Sequence, residues 1–208
     1  MSSKFSIDIN CDVGEGVGNE AQLMPYISSC NIACNAHAGS IAIIDEVIAL
    51  AKKNDVKIGA HPSFPDRENF GRKVMEITDE NLQESLENQI NLLIERAVLQ
   101  EVKLSHIKPH GALYNLIAKD KITAIIVIEA IKNTIPYVFL YVPFNSIIAE
   151  VALQNNIKIK YEAFADRNYN DDLSLVARSN KNALLTNSKE VVSHINNMIN
   201  GKVKTIQG

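Results

Sequence analysis

Polar side chains of the types that take part in catalysis and binding recur where short apolar runs of this sequence end. Three stretches carry them: CNAHAGS at 34–40, GAHPSFPDR at 59–67 and HIKPHGALYN at 106–115. The first two contain His37 and His61, and the third contains Lys108 and His110. An imidazole exchanges protons near neutral pH, and an ammonium group stabilises a developing negative charge. These residue types therefore suit general acid–base chemistry.

The elements that must position these side chains alternate along the chain. Runs typical of strands, such as KFSIDIN (4–10), SCNIAC (29–34) and VKIGA (56–60), are separated by stretches with the i, i+3, i+4 apolar spacing of helices. Further predicted strands are LSHIKP, YVFLYVP, IKIKYEAFA and LSLVA. This alternation predicts an α/β fold with a parallel sheet, either a closed barrel or an open doubly wound sheet.

Candidate site residues lie at the carboxyl ends of successive predicted strands. In chain order they are Asp8, Asn10 and Asp12, then His37, His61, Lys108 and His110, Asn145, and finally Glu162, Asp166 and Arg167. In a closed parallel barrel these ends form one rim, where active sites are built. Alternate strand residues share a face, which predicts that Asn10 and Asp12 face the interior while Ile7 and Ile9 face the helices. Burying so many ionisable groups is costly, and function is the usual reason for it.

Two further histidines are interpreted as lying outside the site. His106 lies deeper in its strand and is expected to be a hydrogen-bonded core residue, whereas His194, in the helical run VVSHINNMIN, is expected at the surface. The three cysteines are an odd number without a CxxC pair, which indicates free thiols in a reducing compartment rather than disulfides or a structural zinc site.

Composition argues against nucleic-acid-binding, secreted and membrane proteins. The chain has 208 residues, 46% of them hydrophobic and 22% charged, with a net charge of −3, which predicts one globular domain spanning 1–208. There is no basic excess for nucleic acid, no apolar signal region and no membrane-length apolar run, so a cytoplasmic location is expected. The loop DVGEGVGNE (12–20) lacks both the GxGxxG spacing and a Walker lysine, and is interpreted as a turn-rich loop rather than a phosphate site.

Longer motifs carry a family resemblance. DINCDVGEG, LMPYISSCNIAC, HAG, IGAHPSFPDRENFGRKVM, IKPHGALYN and YEAFADRNYNDDLSLVAR resemble, in order and over nearly the whole chain, the motifs of the LamB/YcsF family. The resemblance implies an irregular seven-stranded (β/α) barrel of the glycoside hydrolase/deacetylase type. It also implies that the chain works with two partners, 5-oxoprolinase subunits B and C, to open 5-oxo-L-proline to L-glutamate at the expense of ATP, with phosphorylation on one of those partners.

The sequence departs from this family at two places. Asn35, Ala36 and Ser40 stand where relatives usually have Gly-Phe before the histidine and an aspartate after the following Ala-Gly, so a plausible base or metal ligand beside His37 is lost. The chain also ends at GKVKTIQG, where relatives continue into a further strand and a last helix. The barrel is therefore expected to be shortened at its carboxyl end.

Opening a lactam needs a base for water, a donor for the oxyanion, a proton for the leaving nitrogen and a cation for the substrate carboxylate. Asp12, assisted by Glu15, is assigned as the base. His61 and His110 would orient water or protonate the nitrogen, and Lys108 would polarise the carbonyl. Arg72 or Arg167 would hold the carboxylate or a phosphate through a bidentate fork. The remaining substrate-binding candidates are Asn10, Glu15, His37, Asn145, Glu162 and Asp166.

Two other functions remain open from sequence. A metal-dependent deacetylase on a related barrel would use Asp12, His37 and His61 as ligands, since a catalytic zinc needs about three converging protein ligands. A non-catalytic paralogue would only bind 5-oxoproline or one of the partner proteins. No metal is firmly assigned, and a homo-oligomer is left open.

Overall fold

Six strands and seven helices follow one another through residues 7–207, the part of the chain described by the computed structural model. In chain order they are β1 Asn10–Val13, α1 Glu20–Leu23, β2 Ser29–Ala33, α2 Ile41–Lys53, β3 Lys57–His61, α3 Asp79–Leu99, β4 Leu104–Ile107, α4 Gly111–Ile117, α5 Lys121–Thr134, β5 Phe139–Pro143, α6 Ile147–Gln154, β6 Ile159–Glu162 and α7 Ser188–Ile199. None of these described helices is long and apolar enough to cross a membrane.

The strands form a single sheet in sequence order, β1-β2-β3-β4-β5-β6. The first four pairings, from β1–β2 to β4–β5, are parallel. This confirms the α/β prediction with a parallel sheet and differs from a doubly wound order, in which the strand sequence reverses at a switch point. The predicted strand LSLVA is wrong, because Leu175 makes only an isolated bridge to Tyr169. A seven-stranded barrel of the glycoside hydrolase/deacetylase type stays a prediction.

The first strand begins later than its sequence pattern indicates. Residues 4–6 of the predicted run lie outside the described part of the chain, and β1 starts only at Asn10. Ile7 and Ile9 are 50% and 54% exposed, so the prediction that they face the helices is wrong. The physical reason is that these residues precede Asn10, the first paired position of the sheet, and their side chains are exposed to solvent.

By its internal contacts the chain divides into two compact units, the first ending at Lys160 and the second beginning at Tyr161. In the first unit the core lies between the sheet and its helices. Its fully buried members include Ile32, Ile44, Ile48, Ile58, Leu86, Ile90, Ile107 and Ile128. The i, i+4 pairs among them on α2 and α3 show that the apolar helix stripes read from sequence face the sheet.

Asp8, just ahead of β1, connects that end of the sheet to β5 and β6. Its carboxylate accepts hydrogen bonds from the hydroxyl groups of Ser29 (2.6 Å) and Tyr141 (2.8 Å). The Nζ of Lys160, on β6, lies 3.3 Å from Asp8 Oδ2. Side chains from the first, second, fifth and sixth strands or their edges therefore meet at one carboxylate.

Candidate active site

Three buried imidazoles and one carboxylate converge at the carboxyl ends of β1 to β4. Glu15 follows β1, His37 follows β2, His61 ends β3, and His110 follows β4. From Glu15 Oε1, the distances are 3.3 Å to His37 Nε2, 3.7 Å to His61 Nε2 and 3.2 Å to His110 Nδ1. These four ligand-type atoms all lie within 4.8 Å of one another. We call these four residues the histidine cluster.

Backbone carbonyls fix which nitrogen of two of these rings carries hydrogen. Nδ1 of His61 is hydrogen-bonded to the carbonyl of Lys108, and Nε2 of His110 lies 3.0 Å from the carbonyl of Phe70. A carbonyl oxygen only accepts, so both of these outer nitrogens must donate. In the neutral rings, His61 Nε2 and His110 Nδ1 are therefore unprotonated, and they face each other at 2.9 Å.

His37 is held by a separate chain of buried polar groups. Its Nδ1 lies 2.9 Å from Ser63 Oγ, whose hydroxyl also contacts the carbonyl of Phe64 at 2.8 Å. The side chain of Gln89, on α3, bonds both the amide and the carbonyl of Ser63. The His37 ring stacks on His110 with a centroid separation of 3.9 Å and an interplanar angle of 5°. A polar contact from α3 thus sets the position of a ring in the cluster.

Asp12 and Lys108 form an ion pair beside the cluster. Lys108 Nζ lies 2.8 Å from Asp12 Oδ1, and the lysine side chain is 6% exposed against 33% for the aspartate. Asn31 Nδ2 donates to the same Asp12 oxygen at 2.8 Å, while Asp12 Oδ2 lies 3.4 Å from His61 Nε2. The carboxylate of this pair therefore contacts the cluster on one side and a cation on the other.

The electrostatics keep both carboxylates ionised. Burial opposes ionisation of Asp12, but His61 and Lys108 outweigh it and hold the pKa of Asp12 well below its usual value. Burial likewise opposes ionisation of Glu15, yet the adjoining His110 and His37 lower its pKa to about 2. Burial lowers the pKa of His37 to about 4 and also lowers that of His110, although Glu15 opposes both shifts.

This arrangement suits hydrolytic chemistry at a carbonyl. It joins two carboxylates that accept protons, unprotonated ring nitrogens that bind water or a cation, and one buried ammonium group that can stabilise an oxyanion. The sequence prediction that Asp12, His37, His61, Lys108 and His110 lie at one sheet edge agrees with these contacts. Their catalytic roles remain predictions.

Other predicted substrate residues of the first unit lie at different positions. Asn10 accepts a 2.6 Å hydrogen bond from Asn31, next to Asp12. Arg72 is exposed, with its guanidinium 4.7 Å from the centre of the Phe70 ring, which itself contacts His37 and His110 edge to face. Asn145 is exposed on the turn after β5 in the left-handed conformation, with φ of 55°. Substrate binding by these three stays a prediction.

Glu162, Asp166 and Arg167 belong to the second unit. Glu162 is the last residue of β6, and the carbonyl of Asp166 accepts from the amide of Leu185. Arg167 is buried and donates to the carbonyls of Val176 at 2.6 Å and Ala183 at 3.3 Å. These contacts give Arg167 a structural role in its own unit. The predicted binding roles of all three are left as predictions.

Two interpretations of the remaining histidines have different outcomes. His106 is buried as expected, with Nε2 2.7 Å from Asn31 Oδ1 and Nδ1 2.7 Å from Ser105 Oγ, and its ring stacks on Tyr141. The prediction that His194 lies at the surface is wrong, because this residue is only 5% exposed to solvent. The reason is that α7 turns this position towards Tyr169, whose ring centre lies 6.0 Å from that of His194.

Sequence reasoning missed four residues whose side chains contact the site residues or their direct neighbours: Asn31, Ser63, Gln89 and Tyr141. Asn31 was the easiest to find, since an asparagine in the middle of a wholly buried strand requires partners. Ser63 stands inside the motif around His61. Gln89 and Tyr141 gave no signal, because their contacts depend on how α3 and β5 pack in three dimensions.

Position 40, where the sequence departs from the family motif, caps a helix. Ser40 is the N-cap of α2, and its Oγ accepts from the amide of Ile43 at 3.3 Å. Aspartate and serine are both favoured N-cap residues, so either satisfies this helix end. Asn35, a second departure, has φ of 63° and binds the guanidinium of Arg67 through its carbonyl and its side chain.

Comparison with known proteins gives consistent matches. The family model described as LamB/YcsF family matches residues 7–208. A protein of Histophilus somni (strain 129Pt), named as the A subunit of 5-oxoprolinase, is 42% identical over 203 residues, covering 97% of this chain and 82% of that relative. A protein of Pyrococcus abyssi with the same name is 38% identical over 208 residues, with the same two coverages.

Solved structures agree with these sequence matches. The crystal structure of a lactam utilization protein from Thermus thermophilus aligns with a TM-score of 0.93 at 33% identity, over 98% of this chain and 85% of that one. A putative cellobiose-phosphate cleavage protein from Enterococcus faecalis V583 aligns with a TM-score of 0.54 at 14% identity, over 92% of this chain and 74% of that one. At that identity the second match shows a shared fold alone.

Proposed function

The chain belongs to the LamB/YcsF family, and on this premise we propose that it is the A subunit of an ATP-dependent 5-oxoprolinase, which opens 5-oxo-L-proline to L-glutamate together with subunits B and C. The observation that carries the proposal is the histidine cluster beside the Asp12–Lys108 ion pair. Relatives at 37–42% identity are named as the A subunit of 5-oxoprolinase, which supports the choice of substrate and of a multi-subunit enzyme.

The proposed roles follow from the contacts. The cluster holds the attacking water, and Asp12, 3.4 Å from His61 Nε2, takes its proton. The proton returns through His61 or His110 to the lactam nitrogen as the C–N bond breaks. Lys108 stabilises the negative charge that develops on the lactam oxygen, because its ammonium group is already buried and needs no reorganisation. Arg72 is the exposed guanidinium next to the Phe70 ring and suits the substrate carboxylate.

We assign the use of ATP to subunits B and C. A phosphate-binding loop presents free backbone amides to the anion. In the glycine loop of this chain, the Gly14 amide instead donates to Glu20 Oε1 at 3.1 Å. A carboxylate at this position repels phosphate. Phosphorylation of the substrate on a partner would activate the otherwise unreactive amide, and hydrolysis here would then open the ring, with a second water releasing the phosphoryl group as inorganic phosphate.

The test is glutamate release from 5-oxo-L-proline by this chain mixed with subunits B and C. We expect glutamate only when ATP is present and only when the chain is included. The Histophilus somni relative, combined with its own subunits B and C, serves as the positive control. If that control releases glutamate and this chain does not, the proposal is wrong, and a ligand-binding paralogue or a deacetylase takes its place.

A further inference from the structure

His61 and His110 present two unprotonated nitrogens to each other. Each ring donates its outer N–H to a backbone carbonyl, as described above, so neither can offer a hydrogen to the other when neutral. The inner nitrogens nevertheless lie 2.9 Å apart. Two lone pairs at this distance repel unless a positive species lies between them. The Glu15 carboxylate, 3.2 Å from His110 Nδ1, adds a third acceptor to the same point.

Two cations could satisfy such a pair: one shared proton or one metal ion. A proton shared by His61 and His110 would lie on the line between their two inner nitrogens. It would form no hydrogen bond with the third acceptor, the Glu15 carboxylate. Here the third acceptor lies close to both rings, at 3.2 Å and 3.7 Å, and the three atoms form a triangle rather than a line. A triangle of acceptors has room for an ion bonded to all three.

We propose that Glu15 Oε1, His61 Nε2 and His110 Nδ1 bind one divalent transition-metal ion of the zinc type. Ligand atoms about 2.0–2.2 Å from a tetrahedral ion lie roughly 3.3–3.5 Å from one another. The three edges of this triangle measure 2.9, 3.2 and 3.7 Å and bracket that value. Imidazole ligands favour zinc, iron, nickel or copper over magnesium and calcium.

The surroundings match those of a metal site. Metal-binding histidines normally donate their other N–H to a carbonyl or carboxylate, which orients the ring. Both ligand histidines do so here, to the carbonyls of Lys108 and Phe70. The two rings are also nearly perpendicular, at 85°, so an ion can lie in the plane of each. The cluster therefore has preset ligands and not merely a concentration of polar groups.

His37 is a positioning residue in this arrangement. Its ring is parallel to that of His110, at 5° and 3.9 Å between centroids, so an ion in the plane of His110 lies outside the plane of His37. His37 Nε2 instead contacts the ligand oxygen of Glu15 at 3.3 Å. Three protein ligands leave a fourth coordination position for water, which is the pattern of a catalytic rather than a structural zinc site.

The experiment uses the purified full chain alone, without subunits B and C and without substrate. The protein is stripped with a chelator, loaded with Zn²⁺ or Co²⁺, freed of excess ion and analysed for bound metal and for the visible spectrum of Co²⁺. We expect one equivalent of metal and the intense absorption of low-coordinate Co²⁺. A wild-type chain that retains no metal overturns the proposal and leaves the shared proton.

Variants separate ligands from neighbours. Glu15→Gln, His61→Gln and His110→Gln should each weaken Zn²⁺ binding by more than about 100-fold, whereas His37→Gln should weaken it by about 10–100-fold, the usual effect of a supporting residue. His194→Gln, a buried histidine of the second unit, is the matched control and should bind as wild type does. Circular dichroism confirms folding. Glu15→Gln keeps the shape of the side chain, and wild-type affinity in this variant would contradict the assignment.

The metal proposal stands on the site geometry and is independent of the proposed reaction. Stoichiometric metal together with no glutamate release would remove the oxoprolinase proposal and keep the site. Glutamate release by a chain that never holds metal would do the opposite. The two failures are therefore distinguishable.

Discussion

Gly59 contacts the ring of His106 so closely that a methyl group on its α-carbon would lie 2.2 Å from Nε2 of that ring. The two residues are partners in the β3–β4 register, and Gly59 is also in register with Asn31 on β2. The absent side chain on β3 lets His106 reach across that strand to Asn31, which in turn holds Asp12. Gly59 therefore leaves the space through which His106 contacts Asn31, the residue that holds the candidate catalytic carboxylate of Asp12.

Gly59→Ala should lower the free energy of unfolding by about 1–3 kcal/mol, the usual cost of overpacking a core. The check is a double-mutant cycle with His106→Ala, measured by urea unfolding. Removing the ring removes the three atoms nearest to the added methyl group, and alanine replaces the more flexible glycine, so the cost should fall to nearly zero or become a gain. An equal cost in both backgrounds would show that the ring is not the cause.

The buried His106 should make the fold sensitive to acid. Burial lowers its pKa to about 3, whereas an unfolded histidine titrates near 6.5. Between these values the unfolded chain binds the proton and the folded one does not, so stability falls as pH falls below 6.5 and is unaffected by this group above it. Relative to His106→Gln, the wild type should lose roughly 2 kcal/mol between about pH 6.5 and 4.5.

Urea titrations at several pH values measure this difference. The other histidines contribute to both proteins and cancel when the two curves are subtracted. A difference curve that is flat across this window would mean that His106 is protonated as readily in the folded state as in the unfolded one.

Asp12→Asn should reduce glutamate release in the complete mixture by about 10²–10⁴-fold, the usual contribution of a general base. The amide keeps the size of the side chain but neither accepts the proton of water nor balances the charge of Lys108. Asp55→Asn is the control: Asp55 is exposed at the opposite end of β3 from His61, with φ of 56°, a conformation that asparagine tolerates. Unchanged turnover in Asp12→Asn would remove its assignment as base.

Ser40 should act as a helix cap and not as a site residue. Ser40→Ala should cost about 1 kcal/mol of stability, while Ser40→Asp should change it little, because both serine and aspartate accept the Ile43 amide bond. Thr78→Ala, which removes the N-cap of α3 in the same way, gives a matched comparison in thermal and urea unfolding. If Ser40→Asp instead raised turnover, the carboxylate common in relatives would have a chemical role.

The sequence predicted most strands and long helices because their local patterns agree with the packed structure. It also predicted that Asp12, His61, Lys108 and His110 lie at one edge of the sheet, since the carboxyl ends of parallel strands meet there. It missed α4, because the seven residues GALYNLI show barely two turns of apolar spacing and the N-cap, His110, makes no side-chain capping bond. It gave Glu15 only as an assistant to Asp12 and did not place it among the three histidines. The position of Glu15 depends on a glycine-rich loop with no periodic pattern.

The sequential strand order has a consequence for assembly of the first unit. Each strand pairs with the next one along the chain, so every step of sheet growth joins two segments that are neighbours in sequence order, and the sheet can extend as the chain leaves the ribosome. The contacts of Asp8 with Tyr141 and Lys160 are different, because they join residues 133 and 152 positions apart. They can form only after β5 and β6 are in place, so weakening them should speed unfolding while leaving the rate of folding nearly unchanged.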